Sequence, residues 1–193
     1  MLTVRGFGEG EQAIEELLLH FDPDYGAELY PVYRDLARAL SPETRILVVV
    51  PDARHLEGAR FTLQSAGFAA ARCEFCATER PISVWARDRM IPLVTGGRLE
   101  FFRPLGDQVD AERAGDLDVA PLLAQRRSGT LLGGMFLEGG NVIVGSGRVF
   151  VGRTVVEENP GVGGAVAVVE RRLRELFGAE PLVLGTASTL PHP

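Results

Sequence analysis

The chain has 193 residues, 46% hydrophobic and 24% charged, with a net charge of −6 and a pI near 5.2. That is enough polypeptide for a real core and too much for a disulfide-stapled mini-protein. The acidic balance gives no general electrostatic case for binding nucleic acid or an anionic membrane surface, while a small cation in a local acidic pocket stays open to it. The first eight residues, Met1 to Gly8, lack the apolar core of a secretory signal, and no run is long enough to span a bilayer. The expectation is a cytoplasmic protein.

In chain order, Glu11 to Phe21 carries Ile14, Leu17, Leu18 and Phe21 at helical spacing and is expected to be a helix. Tyr30 to Leu40 follows as a second helix. Ile46 to Val50 is an apolar, β-branched strand, Ala53 to Gly67 a helix closed at Gly67, and Ala70 to Phe75 a strand. Met90 to Phe102 reads as a β-hairpin around Gly96-Gly97. Pro104 to Gly115 is acidic and polar and reads as a solvated loop, with a substrate-facing lid beside a pocket as the alternative. Leu117 to Arg127 is a helix, Thr130 to Leu137 a strand, and Asn141 to Gly152 a second hairpin. Ala165 to Phe177, then Pro181 to Leu184, repeat the helix and strand.

The order helix, strand, hairpin recurs with a period near fifty residues, which marks an internal repeat. At an offset of 50, Val94 falls on Val144, Gly97 on Gly147, Arg98 on Arg148, and Asp88 on Glu138. Each acid stands just before the first strand of its hairpin. In a fold with internal rotational symmetry, equivalent positions converge, so the two carboxylates would face one pocket suited to a cation and to proton transfer. The structural alternative for Asp88 is a salt bridge to Arg87, Arg89 or Arg98; for Glu138 it is a cap beside Gly139-Gly140. The fold class is α/β with mixed sheets.

Other motifs are weaker. Cys73 and Cys76 have C-x-x-C spacing, but no second ligand pair accompanies them and they fall in a strand, so they read as small side chains and not as a redox or zinc site. Gly161-Val162-Gly163-Gly164 precedes a helix, yet lacks the third glycine and the later acid of a dinucleotide fingerprint; a helix-capping turn accounts for it.

Trp85-Ala86-Arg87-Asp88 and Glu138-Gly139-Gly140-Asn141 resemble the W-x-R-D and E-G-G-[NDS] motifs of the guanidino-group-modifying (pentein) superfamily, and within it agmatine deiminase and bacterial peptidylarginine deiminase. The resemblance covers Tyr30 to Leu184. It implies a fan of five ββαβ units about a pseudo-fivefold axis, with residues 1–193 forming one incomplete domain of about three units. It implies hydrolysis at the guanidinium carbon of an arginine-like or agmatine-like substrate through a cysteine thiouronium, without metal or cofactor. Asp88 would grip the guanidinium, Glu138 would orient the catalytic histidine or share the cation, Trp85 would wall the pocket, and Arg87 would brace the loop.

The sequence departs from that pattern in three places. The family's cysteine lies later than this sequence extends, and Cys73 and Cys76 match no family nucleophile. Leu190-Pro191-His192-Pro193 lies where the family carries H-x-D, with no aspartate after it. Arg103-Pro104-Leu105-Gly106 replaces an aromatic-glycine turn. The sequence is therefore expected to hold half a site and to be inactive alone. The alternative is a non-catalytic binding module of the same fold, of the kind found in translation anti-association factors.

Overall fold

The computed structural model describes residues 4–5, 13–105, 111–145, 148–159 and 166–185. In chain order the elements are β1 (Val4–Arg5), β2 (Glu16–His20), α1 (Gly26–Ala39), β3 (Arg45–Val50), α2 (Leu56–Ala66), β4 (Cys73–Ala77), β5 (Ile91–Thr95), β6 (Arg98–Phe102), α3 (Val119–Arg126), β7 (Thr130–Leu132), β8 (Val142–Gly145), β9 (Arg148–Gly152), α4 (Arg153–Glu157), α5 (Val166–Phe177) and β10 (Pro181–Leu184). They divide into two compact units. A parallel unit comprises Ala13–Ala86 and Gln108–Val119; a hairpin unit comprises Met1–Gln12, Arg87–Asp107 and Ala120–Pro193.

In the parallel unit, β3 lies between β2 and β4, all three parallel. Ile46 to Val50 are all buried, as a central parallel strand covered on both faces requires. Alternate residues Ile46, Val48 and Val50 share a core with Tyr33 of α1 and Ala59 and Leu63 of α2. The helix expected over Glu11 to Phe21 is instead the strand β2. Leu17, Leu18 and Leu19 pair in register with Ile46, Leu47 and Val48, and Leu17 and Leu19 pack on the core. A short apolar run fits either period, and here the open edge of β3 decides. The strand expected from Ala70 begins at Cys73, after a 3-10 turn over Ala70–Arg72.

In the hairpin unit one pattern occurs twice. β5 and β6 pair antiparallel, and β7 adds parallel to β6; β8 and β9 pair antiparallel, and β10 adds parallel to β9. The closing pairs Thr95↔Arg98 and Gly145↔Arg148 are 50 residues apart, so the sequence repeat is a repeat of register. β1 pairs with β5 and gives the order β1-β5-β6-β7; the other sheet runs β10-β9-β8. One core joins Ile91, Leu93 and Phe102 of the first sheet to Val142, Val149 and Val151 of the second and to Val169, Leu173 and Phe177 of α5.

The strand expected over Thr130 to Leu137 stops at Leu132. The solvated loop expected over Pro104 to Gly115 is also corrected: Ala111–Asp118 is a 3-10 helix with Gly115 and Asp116 buried. Gly115 N–H donates to Pro81 O at 2.7 Å, which fastens this stretch to the chain after β4. Among the described residues, no helix is long and apolar enough to cross a membrane.

Candidate functional site

Each carboxylate motif folds as a short 3-10 turn that delivers the chain into a hairpin: Ala86–Arg89 before β5, and Gly139–Asn141, with Glu138 at its N-cap, before β8. Within the hairpin unit the two turns are braced against each other. Asp88 Oδ1 accepts the Gly140 N–H at 2.9 Å. Arg87 donates from Nε to Gly139 O at 3.2 Å and from Nη2 to Val142 O at 3.0 Å. In return, the Glu138 carboxylate stands 3.2 Å from Nη1 of Arg89, a guanidinium only 6% exposed. Arg87 therefore braces the loop, as the family pattern implies.

The brace explains why two glycines follow Glu138. A Cβ on Gly139 would lie 2.1 Å from Arg87 O, and one on Gly140 would lie 2.3 Å from Asp88 Oδ1. No side chain fits between the turns at this approach. The structural alternatives are also exchanged relative to expectation. Asp88 caps the turn, whereas Glu138 makes the ion pair and no side-chain cap bond. A hydrogen bond to a carboxylate contributes about 1.5–3 kcal/mol, so the brace matters to the hairpin unit whatever else Asp88 does.

Trp85 lies in the parallel unit, 62% exposed, on the wall of a cleft of about 890 Å³. The cleft opens at the carboxyl ends of the three parallel strands. Asp22 to Tyr25 follow β2, Pro51 and Asp52 follow β3, and Glu79 to Trp85 follow β4. This is where open parallel sheets leave a crevice. Asp52 is held by Arg54 and its carboxyl pKa falls to about 2, chiefly through that hydrogen bond.

Sequence reasoning missed the network that fixes this wall. His20, at the end of β2, lies 2.8 Å from Ser83 O through Nδ1; a carbonyl only accepts, so Nδ1 carries the proton. Ser83 donates from N and Oγ to the two oxygens of buried Asp116, at 2.8 and 2.7 Å. Arg80 grips Asp118 through Nε at 2.7 Å. Burial pushes the His20 pKa down, opposed by its bond to Ser83 and the charge of Asp116. The signal available in sequence was faint: a lone histidine ending an apolar strand and an aspartate in a polar run.

Cys73 and Cys76 lie in β4, as expected. An odd spacing of three sends them to opposite faces of the strand, so they share neither a metal nor a bond. Burial pushes the Cys73 thiol pKa up, against the influence of Arg72, and buried Cys76 points its thiol at Val48 O at 3.7 Å. Neither has the surroundings of a reactive thiolate. His192, Gly106 and Gly161 to Gly164 lie outside the described residues.

No protein-family profile and no curated protein sequence matches this chain. Solved structures do. C. jejuni agmatine deiminase superimposes with a TM-score of 0.70 at 19% identity, covering 94% of this chain and 55% of that one. A variant of the same enzyme with substrate bound gives 0.69 at 19% identity, again covering 94% and 55%. A protein described as a peptidyl-arginine deiminase gives 0.69 at 19% identity, covering 95% and 57%. The chain thus spans little more than half the length of these structures, and over that span it has the pentein fold, as the paired hairpins and their motifs led us to expect.

Proposed function

We propose that this chain is part of one pentein domain and forms the guanidinium-holding portion of a deiminase-type hydrolase, acting on a small cationic guanidine such as agmatine or an arginine-like compound. The observation that carries the reading is the mutual brace of the two carboxylate motifs. It presents Asp88 and Glu138 from two turns bonded to each other, with Trp85 three residues before Asp88. A guanidinium is a planar cation whose N–H pairs match a carboxylate fork. Held by Asp88, with Glu138 sharing the charge or orienting a histidine, its central carbon would be fixed for attack.

In the proposed chemistry a thiolate adds to that carbon. The leaving nitrogen takes a proton from an imidazole and departs as ammonia, and a thiouronium remains. Water, giving a proton to the imidazole left neutral by the first step, then adds to the thiouronium carbon and displaces the thiolate, leaving the ureido product. We place the thiolate and the imidazole on polypeptide outside the described residues, because neither Cys73 nor Cys76 suits the task. Those same two environments favour the second reading, a binding module of this fold without turnover. The test is release of carbamoyl-putrescine from agmatine, or citrulline from arginine, by the 193-residue chain. Release at or below blank is expected, unchanged by Cys73→Ser or Cys76→Ser; release abolished by either substitution would overturn the placement of the nucleophile.

A further inference from the structure

The segment that joins β4 to the Ala86–Arg89 turn carries Trp85 and forms one wall of the cleft in the parallel unit. It leaves β4 through Glu79, whose φ of +62° lies in the left-handed region, which a residue other than glycine holds only where its surroundings impose it. Ser83 is the point at which this segment is tied down. Its N and Oγ donate to Asp116, its Oγ also accepts the Trp85 N–H at 3.3 Å, and its carbonyl accepts the Nδ1–H of His20 at 2.8 Å. Every polar atom of Ser83 is thus engaged, two residues before Trp85. His20 is 3% exposed, and its Nε2 meets no hydrogen-bond partner among the described residues.

We propose that His20 is a positioning residue for Trp85: neutral, it pins Ser83 and the wall that carries the indole, and protonated, it lets both go. This role rests on Trp85 being a wall of the substrate pocket, as proposed above. The neutral ring suits its place, since its one N–H, on Nδ1, meets one carbonyl. A proton on Nε2 would add a buried charge and a donor with nothing to receive it. Two effects oppose release: the bond to Ser83 O strengthens when the ring is charged, and Asp116 attracts the cation. Burial outweighs both and holds the pKa of His20 below 6.5. Asp116 comes from the 3-10 helix, where it already accepts from Ser83 and pairs with Arg113; β3 sets the uncharged Val49 beside His20 in the sheet. Once the wall opens, the imidazole reaches water and takes up a proton at its ordinary pKa, so falling pH draws the equilibrium toward the open wall. Ser83 O then lacks its donor, and the turn at Glu79 can relax.

Trp85 is the only tryptophan of the chain, so its fluorescence reports this wall alone. The test is acrylamide quenching of the 193-residue chain between about pH 7.5 and 5, beside far-UV circular dichroism. No ligand is present, so the result is independent of whether the chain binds a guanidine. The quenching constant should rise as pH falls below 6.5 while the circular dichroism holds, toward a ceiling of about 1.6-fold, the ratio of full exposure to the present 62% of Trp85. His20→Gln keeps an N–H for Ser83 O and does not titrate, so it should abolish the rise. His55→Gln, at the histidine that lines the cleft, should leave the rise intact. Should His20→Gln lose its circular dichroism, NMR of the parent decides: the His20 ring protons and the Trp85 indole N–H should titrate with one midpoint. A quenching constant independent of pH, a rise that survives His20→Gln or vanishes with His55→Gln, a rise that only accompanies unfolding, or two separate midpoints would overturn the proposal.

Discussion

Replacing Gly139 by alanine strikes the brace between the two motif turns. The new Cβ would stand 2.1 Å from Arg87 O, and real Cβ atoms stay beyond 3.0 Å, so the turns must part by about 0.9 Å (3.0 less 2.1). The obstacle is backbone on both sides, which cannot rotate away. Overpacking of this kind costs about 1–3 kcal/mol. Parting the turns also stretches the Asp88–Gly140 bond, a charge-assisted contact of about 1.5–3 kcal/mol, and the two losses overlap. We expect a net loss of about 2–4 kcal/mol, or about 4–16 °C in melting temperature for a chain of this size. Gly140→Ala should cost less, about 1–2 kcal/mol, because its Cβ meets the end of the Asp88 side chain, which can turn aside at the expense of the cap. Gly58→Ala, in α2 with nothing within 4 Å of its Cβ, should raise stability by about 0.5–1 kcal/mol. Urea unfolding followed by far-UV circular dichroism measures all three. Gly139→Ala within about 0.5 kcal/mol of the parent would refute the claim that close backbone approach dictates the glycine pair.

Two further outcomes are expected. His20 is buried and its pKa lies below the ordinary 6.5, so the unfolded chain takes up the proton first; its stabilising effect is complete above pH 6.5 and is lost as pH falls below it, by at most about 1.4 kcal/mol per pH unit. His20→Gln should flatten the slope of stability between pH 6.5 and 5, and an unchanged slope would show that another group sets it. The Tyr33 hydroxyl is buried with no hydrogen-bond partner among the described residues, and burial raises its pKa to about 12. Its contribution is present below pH 10 and lost as pH rises toward 12; Tyr33→Phe should remove that loss and, at neutral pH, leave stability equal or raise it by about 1 kcal/mol in a thermal melt.

The legible parts of the fold were those where neighbouring residues decide the outcome. Gly96-Gly97 between two apolar runs announces a hairpin, and Val169, Leu173 and Phe177 announce a helix face. β2 was not legible, because Glu16 to His20 becomes a strand only when the edge of β3, thirty residues later, offers its hydrogen bonds. At the site, the motifs gave the residues but not their partners. Which acid caps and which makes the ion pair depends on how two turns fifty residues apart meet, and no local pattern encodes that. The link from His20 through Ser83 to Asp116 was hidden for the same reason: its members come from β2, the segment after β4, and a 3-10 helix that reads as polar loop.

The central claim is that the braced turns hold a guanidinium and do more than hold each other. Its most direct test is an NMR titration of the ¹⁵N-labelled 193-residue chain with agmatine, with putrescine as the ligand lacking the guanidinium. Asp88→Asn keeps the oxygen that accepts the Gly140 N–H and removes the charge, so the brace should survive and the grip should not. The account predicts shifts at Asp88, Gly139 and Gly140 with agmatine and not with putrescine. It predicts affinity weakened about 10- to 150-fold in Asp88→Asn, equivalent to the loss of about 1.5–3 kcal/mol, and unchanged in the exposed control Asp35→Asn. Agmatine binding by a folded Asp88→Asn chain within a few-fold of the parent, or shifts confined to residues away from the two turns, would contradict it.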